Sequence, residues 1–339
     1  MIWSRTREQT GRLMLFSLLS ISMAMLGACS APTDRGQVDI GFAVSPSGEE
    51  IVFNAAGECK RDLYRLLLPG REVKPVTSTP TYEYSPSYSP NGETIVYAAA
   101  RKLTESFHLY TCGLDGAGRK QITHDDSVAD MKPTFSADGT RIVFARAYRR
   151  RPYSMGGWVW DNWDVCIVNA DGSGFRRITH NKYYHLGSPA LSPRGGTILF
   201  GAEPLDDRSG IYVVDESGAM PPRRLTGADH GSWPRWSPNG QQILFTSDRA
   251  HQYHYTPWIM QRDGSRPAKI SDTECTQTAF TPDGKQILFL HQTRHSGAPP
   301  IEYDLLEMDR DGRNLHLIAD SSLFNDPLNW KRPQPSAAL

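Results

Sequence analysis

Short apolar triplets recur along the chain at a nearly fixed interval, each set between polar turns. They read Ile51-Val52-Phe53, Ile95-Val96-Tyr97, Ile142-Val143-Phe144, Ile198-Leu199-Phe200, Ile243-Leu244-Phe245 and Ile287-Leu288-Phe289. Each follows a turn of the form Ser-Pro-x-Gly, beginning at Ser45, Ser89, Ser136, Ser192, Ser237 and Thr281, with Ala137 replacing the proline once. Successive turns start 44, 47, 56, 45 and 44 residues apart. In such a turn Pro presets φ at the second position and Gly supplies positive φ at the end. Runs this short, rich in β-branched and aromatic residues, predict strands buried on both faces. A further apolar strand follows in each unit, for example residues 210–214, and then an Asp-Gly turn at Asp115, Asp171, Asp263 or Asp311. The unit ends in an apolar residue followed by a hydroxyl: Val76-Thr77, Ile122-Thr123, Ile178-Thr179, Leu225-Thr226, Ile270-Ser271.

Four strands per unit and six units predict an all-β fold, a six-bladed β-propeller of four-stranded antiparallel blades. A β-sandwich would not explain the fixed period. One blade cannot bury both faces alone, so the ring is the cooperative unit. The stretch Pro234-Arg235-Trp236-Ser237-Pro238-Asn239-Gly240-Gln241-Gln242-Ile243-Leu244-Phe245 resembles the TolB-type propeller repeat. The resemblance covers residues 38–330 and implies the fold. It implies little about activity, because repeats of this kind serve binding proteins, peptidase propellers and some lyases. One departure is that only residues 30–37 precede the first strand after the lipobox described next, where the Tol-system protein carries an α/β domain.

The N-terminus has a different pattern. Arg5, Arg7 and Arg12 precede an apolar run over residues 13–26, too short to span a bilayer and suited to a signal peptide. Leu26-Gly27-Ala28-Cys29 resembles the lipobox of bacterial lipoproteins. That resemblance implies cleavage of residues 1–28, lipidation at Cys29 and a tether over 29–36, ahead of a propeller over 37–330 and a tail over 331–339. With Ser30 after the cysteine, it implies the periplasmic side of the outer membrane. Two or more acyl chains suffice for stable anchoring.

Strand parity sorts the loops. The Ser-Pro-x-Gly and Asp-Gly turns lie on one face of the ring, and every long connection lies on the other. Binding residues favour loops displayed on a rigid scaffold, so the long-loop face is the expected site. Eight of the ten histidines are expected there. An insertion lengthens the third unit and reads as a loop carrying Arg149, Arg150, Arg151, Trp158 and Trp160. With His185, His230, Tyr253 and Tyr255 it forms the candidate binding set, a mixture of arginine and aromatic groups that suits a peptide anchor or a glycan. The alternative is that the tryptophans pack as a satellite core. The ends of the fourth-to-first connections place Glu83, Asp130, His185, His230 and Glu274 at the channel mouth. Of these His185, His230 and Glu274 are candidate metal ligands, and no other cofactor is implied.

Lysine plus arginine and aspartate plus glutamate both number 37. This balance excludes the basic footprint of a nucleic-acid binder. The leader carries three arginines and one glutamate, so the remainder has a net charge of −2. Cys59, Cys112, Cys166 and Cys275 remain, open to three disulfide connectivities or to none. No G-x-S-x-G, H-E-x-x-H or P-loop motif is present. The sequence therefore reads as an envelope lipoprotein whose propeller is a non-catalytic scaffold, membrane-tethered and facing a protein or glycan partner. The alternative is a metal-dependent lyase of the oligogalacturonate type, with His185, His230, Glu274 and Gln277 near the channel mouth.

Overall fold

The structure is a computed structural model that describes residues 40–56, 61–68, 70–152, 158–205, 207, 209–227, 231–250, 254–293 and 302–330. Cys29, Cys59, His230 and Tyr253 lie outside the described residues. Six antiparallel sheets follow one another along the chain, each built from consecutive strands. The first blade is Phe42–Val44, Glu50–Ala56, Arg61–Leu67 and Glu72–Pro75. The last is Thr278–Phe280, Gln286–Gln292, Tyr303–Asp309 and His316–Ala319. Blade 4 differs in that its innermost strand is split into His185–Leu186 and Ala190–Leu191. The six-bladed all-β propeller expected from the repeat is the observed fold.

The apolar triplets are the second strands, and their period of two accounts for the ring. Ile95 and Tyr97 face blade 1, packing with Val52 and Leu63, whereas Val96 faces blade 3, packing with Ile142 and Phe144. The same alternation repeats around the ring, giving one buried cluster between each pair of neighbouring blades. Fully burying one such side chain is worth about 1.5–3 kcal/mol.

The recurring turns and hydroxyl pairs also connect blades. At Gly116, in the Asp-Gly turn of blade 2, a Cβ would fall 2.1 Å from the Val76 carbonyl oxygen of blade 1. Only glycine permits that approach. Thr77, next to Val76, accepts a hydrogen bond from the Leu63 amide at 2.8 Å, and Thr123, Thr179 and Thr226 repeat the contact with Leu109, Val165 and Ile211. The hydroxyl thus completes the ladder where the short fourth strand ends. On the Ser-Pro-x-Gly turns of the same face, the proline of one blade lies against the glycine of the next: Pro46 against Gly92, Pro90 against Gly139, Pro238 against Gly284, and Pro282 against Gly48. Ala137 breaks this series, and Gly195 has open space where a proline ring would sit.

The ring closes by side-chain packing between blades 6 and 1. Phe42, Phe53 and Tyr64 of blade 1 meet Leu288, Leu305 and Ile318 of blade 6. A short helix, Ser322–Asn325, buries Leu323 and Phe324 in this seam. The Phe324 ring stands edge-on to Phe53 with centroids 5.4 Å apart. The residues around Asp326 to Trp330 therefore cap the seam and do not add a strand.

Candidate functional site

The innermost strand of each blade faces the channel with alternate residues. In blade 5, Trp233 and Arg235 are half-buried while Pro234 and Trp236 are buried. Proline at the intervening position costs no hydrogen bond, since the channel side of an edge strand needs no donor. Counting four residues back from each Ser-Pro-x-Gly turn gives Gly41, Ser85, Lys132, Ser188, Trp233 and Gln277, all of which line one cavity of about 400 Å³. Three of them, Ser85, Lys132 and Trp233, have positive φ, and the pairing register shifts beside them. Strain of this kind costs of order 1 kcal/mol or more for each residue. In these three blades it redirects one side chain at the channel. The cavity continues to the turn prolines Pro46, Pro90, Pro193, Pro238 and Pro282. It lies on the tight-turn half of the channel, which the loop-length argument had passed over. The signal was present in the sequence as a lysine and an arginine at positions that are otherwise small or neutral.

The long-loop face differs from expectation in three respects. The described residues of the insertion in blade 3 are not a loop. They continue the second and third strands, Arg141–Pro152 and Trp158–Asn169, paired out to Pro152 opposite Trp158. Asp161 holds two of the three arginines: Arg149 donates from Nε and Nη2 at 2.8 Å each, and Arg151 from Nε at 2.5 Å. These contacts hold the Asp161 carboxyl below its usual range. Arg150, on the other side of the strand, is exposed. Trp160 packs against the cluster shared by blades 2 and 3, so it belongs in part to a satellite core. Its indole N–H is buried with no acceptor. Tyr255 is half-buried just before the third strand of blade 5.

The channel-mouth carboxylates are likewise structural. Glu83 is buried and accepts hydrogen bonds from the hydroxyls of Thr77, Thr79 and Thr81, while burial pushes its carboxyl above the usual range. Asp130 is buried in a two-pronged pair with Arg146, at 2.6 and 2.8 Å. Both tie the first strand of one blade to its surroundings and are not open to a ligand. His185 and Glu274 have other partners. His185 is exposed, its Nε2 is 3.2 Å from Lys132 Nζ, and that ammonium holds the imidazole below its usual range. Glu274 pairs with His254. Among the described residues no group of three histidine, cysteine or acidic side chains is placed to hold a metal. His291 lies in a strand, its ring bonded to the Glu274 carbonyl at 2.8 Å. Cys112, Cys166 and Cys275 are buried free thiols, and burial pushes Cys112 and Cys166 up to about 12. Thiols so held are poor nucleophiles.

A ring of six contiguous blades around a small central channel defines a repeat-built propeller. The family described as the TolB beta propeller domain matches residues 162–329, and the chain is a TolB-like propeller. It is similar to TolB from Acinetobacter baumannii, with a TM-score of 0.62 and 20% identity over 84% of this chain and 64% of that one. An oligogalacturonate lyase from Vibrio parahaemolyticus gives 0.59 and 14%, over 84% and 80%. Likeness at that level is a likeness of fold. Among curated relatives, the uncharacterized protein Atu1656 of Agrobacterium fabrum is 26% identical over 77% of this chain and 85% of its own. The uncharacterized peptidase YuxL of Bacillus subtilis is 28% identical over 38% of this chain, which spans only 19% of that protein.

Proposed function

We propose that this chain is a lipid-anchored propeller of the bacterial cell envelope that binds a protein partner and performs no chemistry itself. The observation that carries this reading is the blade 3 hairpin. Its strands have 12 residues where the second strand of blade 2 has 7. Five extra residues at about 3.3 Å each extend it roughly 16 Å beyond its neighbours. That extension keeps Arg150 exposed and is braced at its base by Asp161, the arrangement of a rigid element presented to another surface. The lipobox at Cys29 supplies the tether. No helix among the described residues is long and apolar enough to cross a membrane.

A photo-crosslinking residue placed at Arg150 tests this in intact cells. It should give a discrete protein adduct, and the same residue at Asn239, on the opposite face, should not. In parallel, Cys29→Ala should move the chain from the membrane to the soluble fraction. Adducts that are equal from both faces, or absent from both, would refute the scaffold. Chelator-sensitive cleavage of polygalacturonate by the purified chain would replace it with the lyase reading.

A further inference from the structure

The geometry points to the tight-turn half of the channel as a binding site for the carboxylate of an acidic peptide segment, with Arg235 as its principal contact and Lys132 as a second cation. This rests on the reading of the chain as a protein-binding scaffold and names the chemistry that such a partner would present.

Among the described residues Arg235, like the buried Arg61 against the Tyr84 ring, lacks the carboxylate partner that several other inward-facing arginines have. Arg146 pairs with Asp130, Arg177 with Asp164, Arg65 with Glu50 and Arg141 with Glu216. The Arg235 guanidinium has one hydrogen bond, to the carbonyl of its own neighbour Pro234 at 3.1 Å, and among the described residues no carboxylate pairs with it. Burial alone lowers its pKa to about 10, so it remains a cation in a site that penalises charge. A guanidinium so placed presents a planar fork of donors that matches a carboxylate.

Position in the repeat reinforces the assignment. Arg235 lies two residues before its Ser-Pro-x-Gly turn, where the other blades carry Ala43, Ser87, Thr134, Ala190 and Ala279. One long cation among small residues gives the ring a single recognition point. Lys132 lines the same cavity from blade 3, and the described lining contains no aspartate or glutamate. About 400 Å³ is at the small end of ligand pockets, enough for a short segment and too little for a folded domain. The lining also separates a peptide from a sugar acid. A sugar ring is held by several carboxylate and amide side chains that fix its hydroxyls, and the described lining has no carboxylate and one amide, Gln277, beside its serine and threonine hydroxyls. A peptide carboxylate needs donors, which Arg235, Lys132 and the serine hydroxyls provide.

The test uses the full-length chain and a panel of fluorescein-labelled hexapeptides of glycine and serine, each carrying one Asp or Glu, with Asn or Gln twins. Acidic peptides should bind at least tenfold more tightly than their twins, more weakly as salt is raised. Arg235→Met should remove that preference, the scale expected for one charge-assisted pair. The same substitution should raise the melting temperature of the unliganded protein, because it relieves a half-buried unpaired charge. Equal binding of acid and amide twins would overturn the site, as would unchanged binding in Arg235→Met. Preference for trigalacturonate over the acidic peptides would overturn the peptide assignment. A lower melting temperature in Arg235→Met would make the arginine structural. Crosslinks from Arg150 that persist while the acidic peptides fail would sink the channel site and leave the scaffold standing.

Discussion

At the scale of single residues, one contact decides a protonation state. Lys132 donates toward the exposed His185 ring and to the Leu186 carbonyl at 3.1 Å, and its charge biases the imidazole toward the neutral form. The folded-state pKa of His185 lies below the ordinary value near 6.5. Below that pH the unfolded chain takes up a proton which the folded chain refuses, so this group makes stability fall as pH falls. In Lys132→Met the ring should titrate close to the ordinary value, followed by its NMR proton shifts, and the loss of stability in mild acid should shrink. A wild-type His185 that already titrates normally would refute the contact. None of this was legible in the sequence. His185 was visible as a candidate, but its partner comes from the neighbouring blade, at a bulge whose positive φ no pattern announces. Arg235 illustrates the same limit, since the alternation that aims it inward was readable only once the inner strand was placed at the channel. Glu83 and Asp130, expected at the channel mouth, are closed to a ligand for a related reason. Their hydroxyl and guanidinium partners, at Thr79, Thr81 and Arg146, consume the capacity that the sequence left open.

At the scale of elements, the repeat was legible because its punctuation and its packing coincide. The Ser-Pro-x-Gly turns, the apolar triplets and the apolar–hydroxyl pairs are each a contact between neighbouring blades, so the period of the sequence is the period of the ring. The blade 3 insertion was misread as a loop because Arg149-Arg150-Arg151 and the glycines after it carry no apolar alternation. Cross-strand arginine–aspartate pairing sustains those strands where hydrophobic burial does not. The broken proline series offers a direct test. Ala137→Pro would place a ring against Gly195, as Pro90 lies against Gly139. Ala137 is exposed, and prolines occupy the same turn position in the other five blades. The substitution should stabilise the protein by about 0.4–1 kcal/mol, mostly by restricting the unfolded chain. A urea midpoint that falls would show that the blade 3 turn has a different backbone.

At the scale of the whole molecule, the seam between blades 6 and 1 is the ring's distinctive joint. Its strands are not exchanged between the chain ends, so the last helix bears part of the closure. A chain ending at Ala319 loses the buried Leu323 and Phe324. At about 1.5–3 kcal/mol for each side chain, the cost should be roughly 3–6 kcal/mol, read as a lower denaturant midpoint with the blades retained. An unchanged midpoint would reduce the helix to an ornament. The seam also sets where mechanical load enters. Ile40 packs within it, and the first strand, Phe42–Val44, pairs over only three residues before the chain leaves toward the N-terminus. Tension arriving from a membrane tether would therefore reach this joint first and peel its short strand away residue by residue. Ala43 of the same strand packs on the cluster between blades 1 and 2, so that interface would open next, while the four others lie behind complete blades.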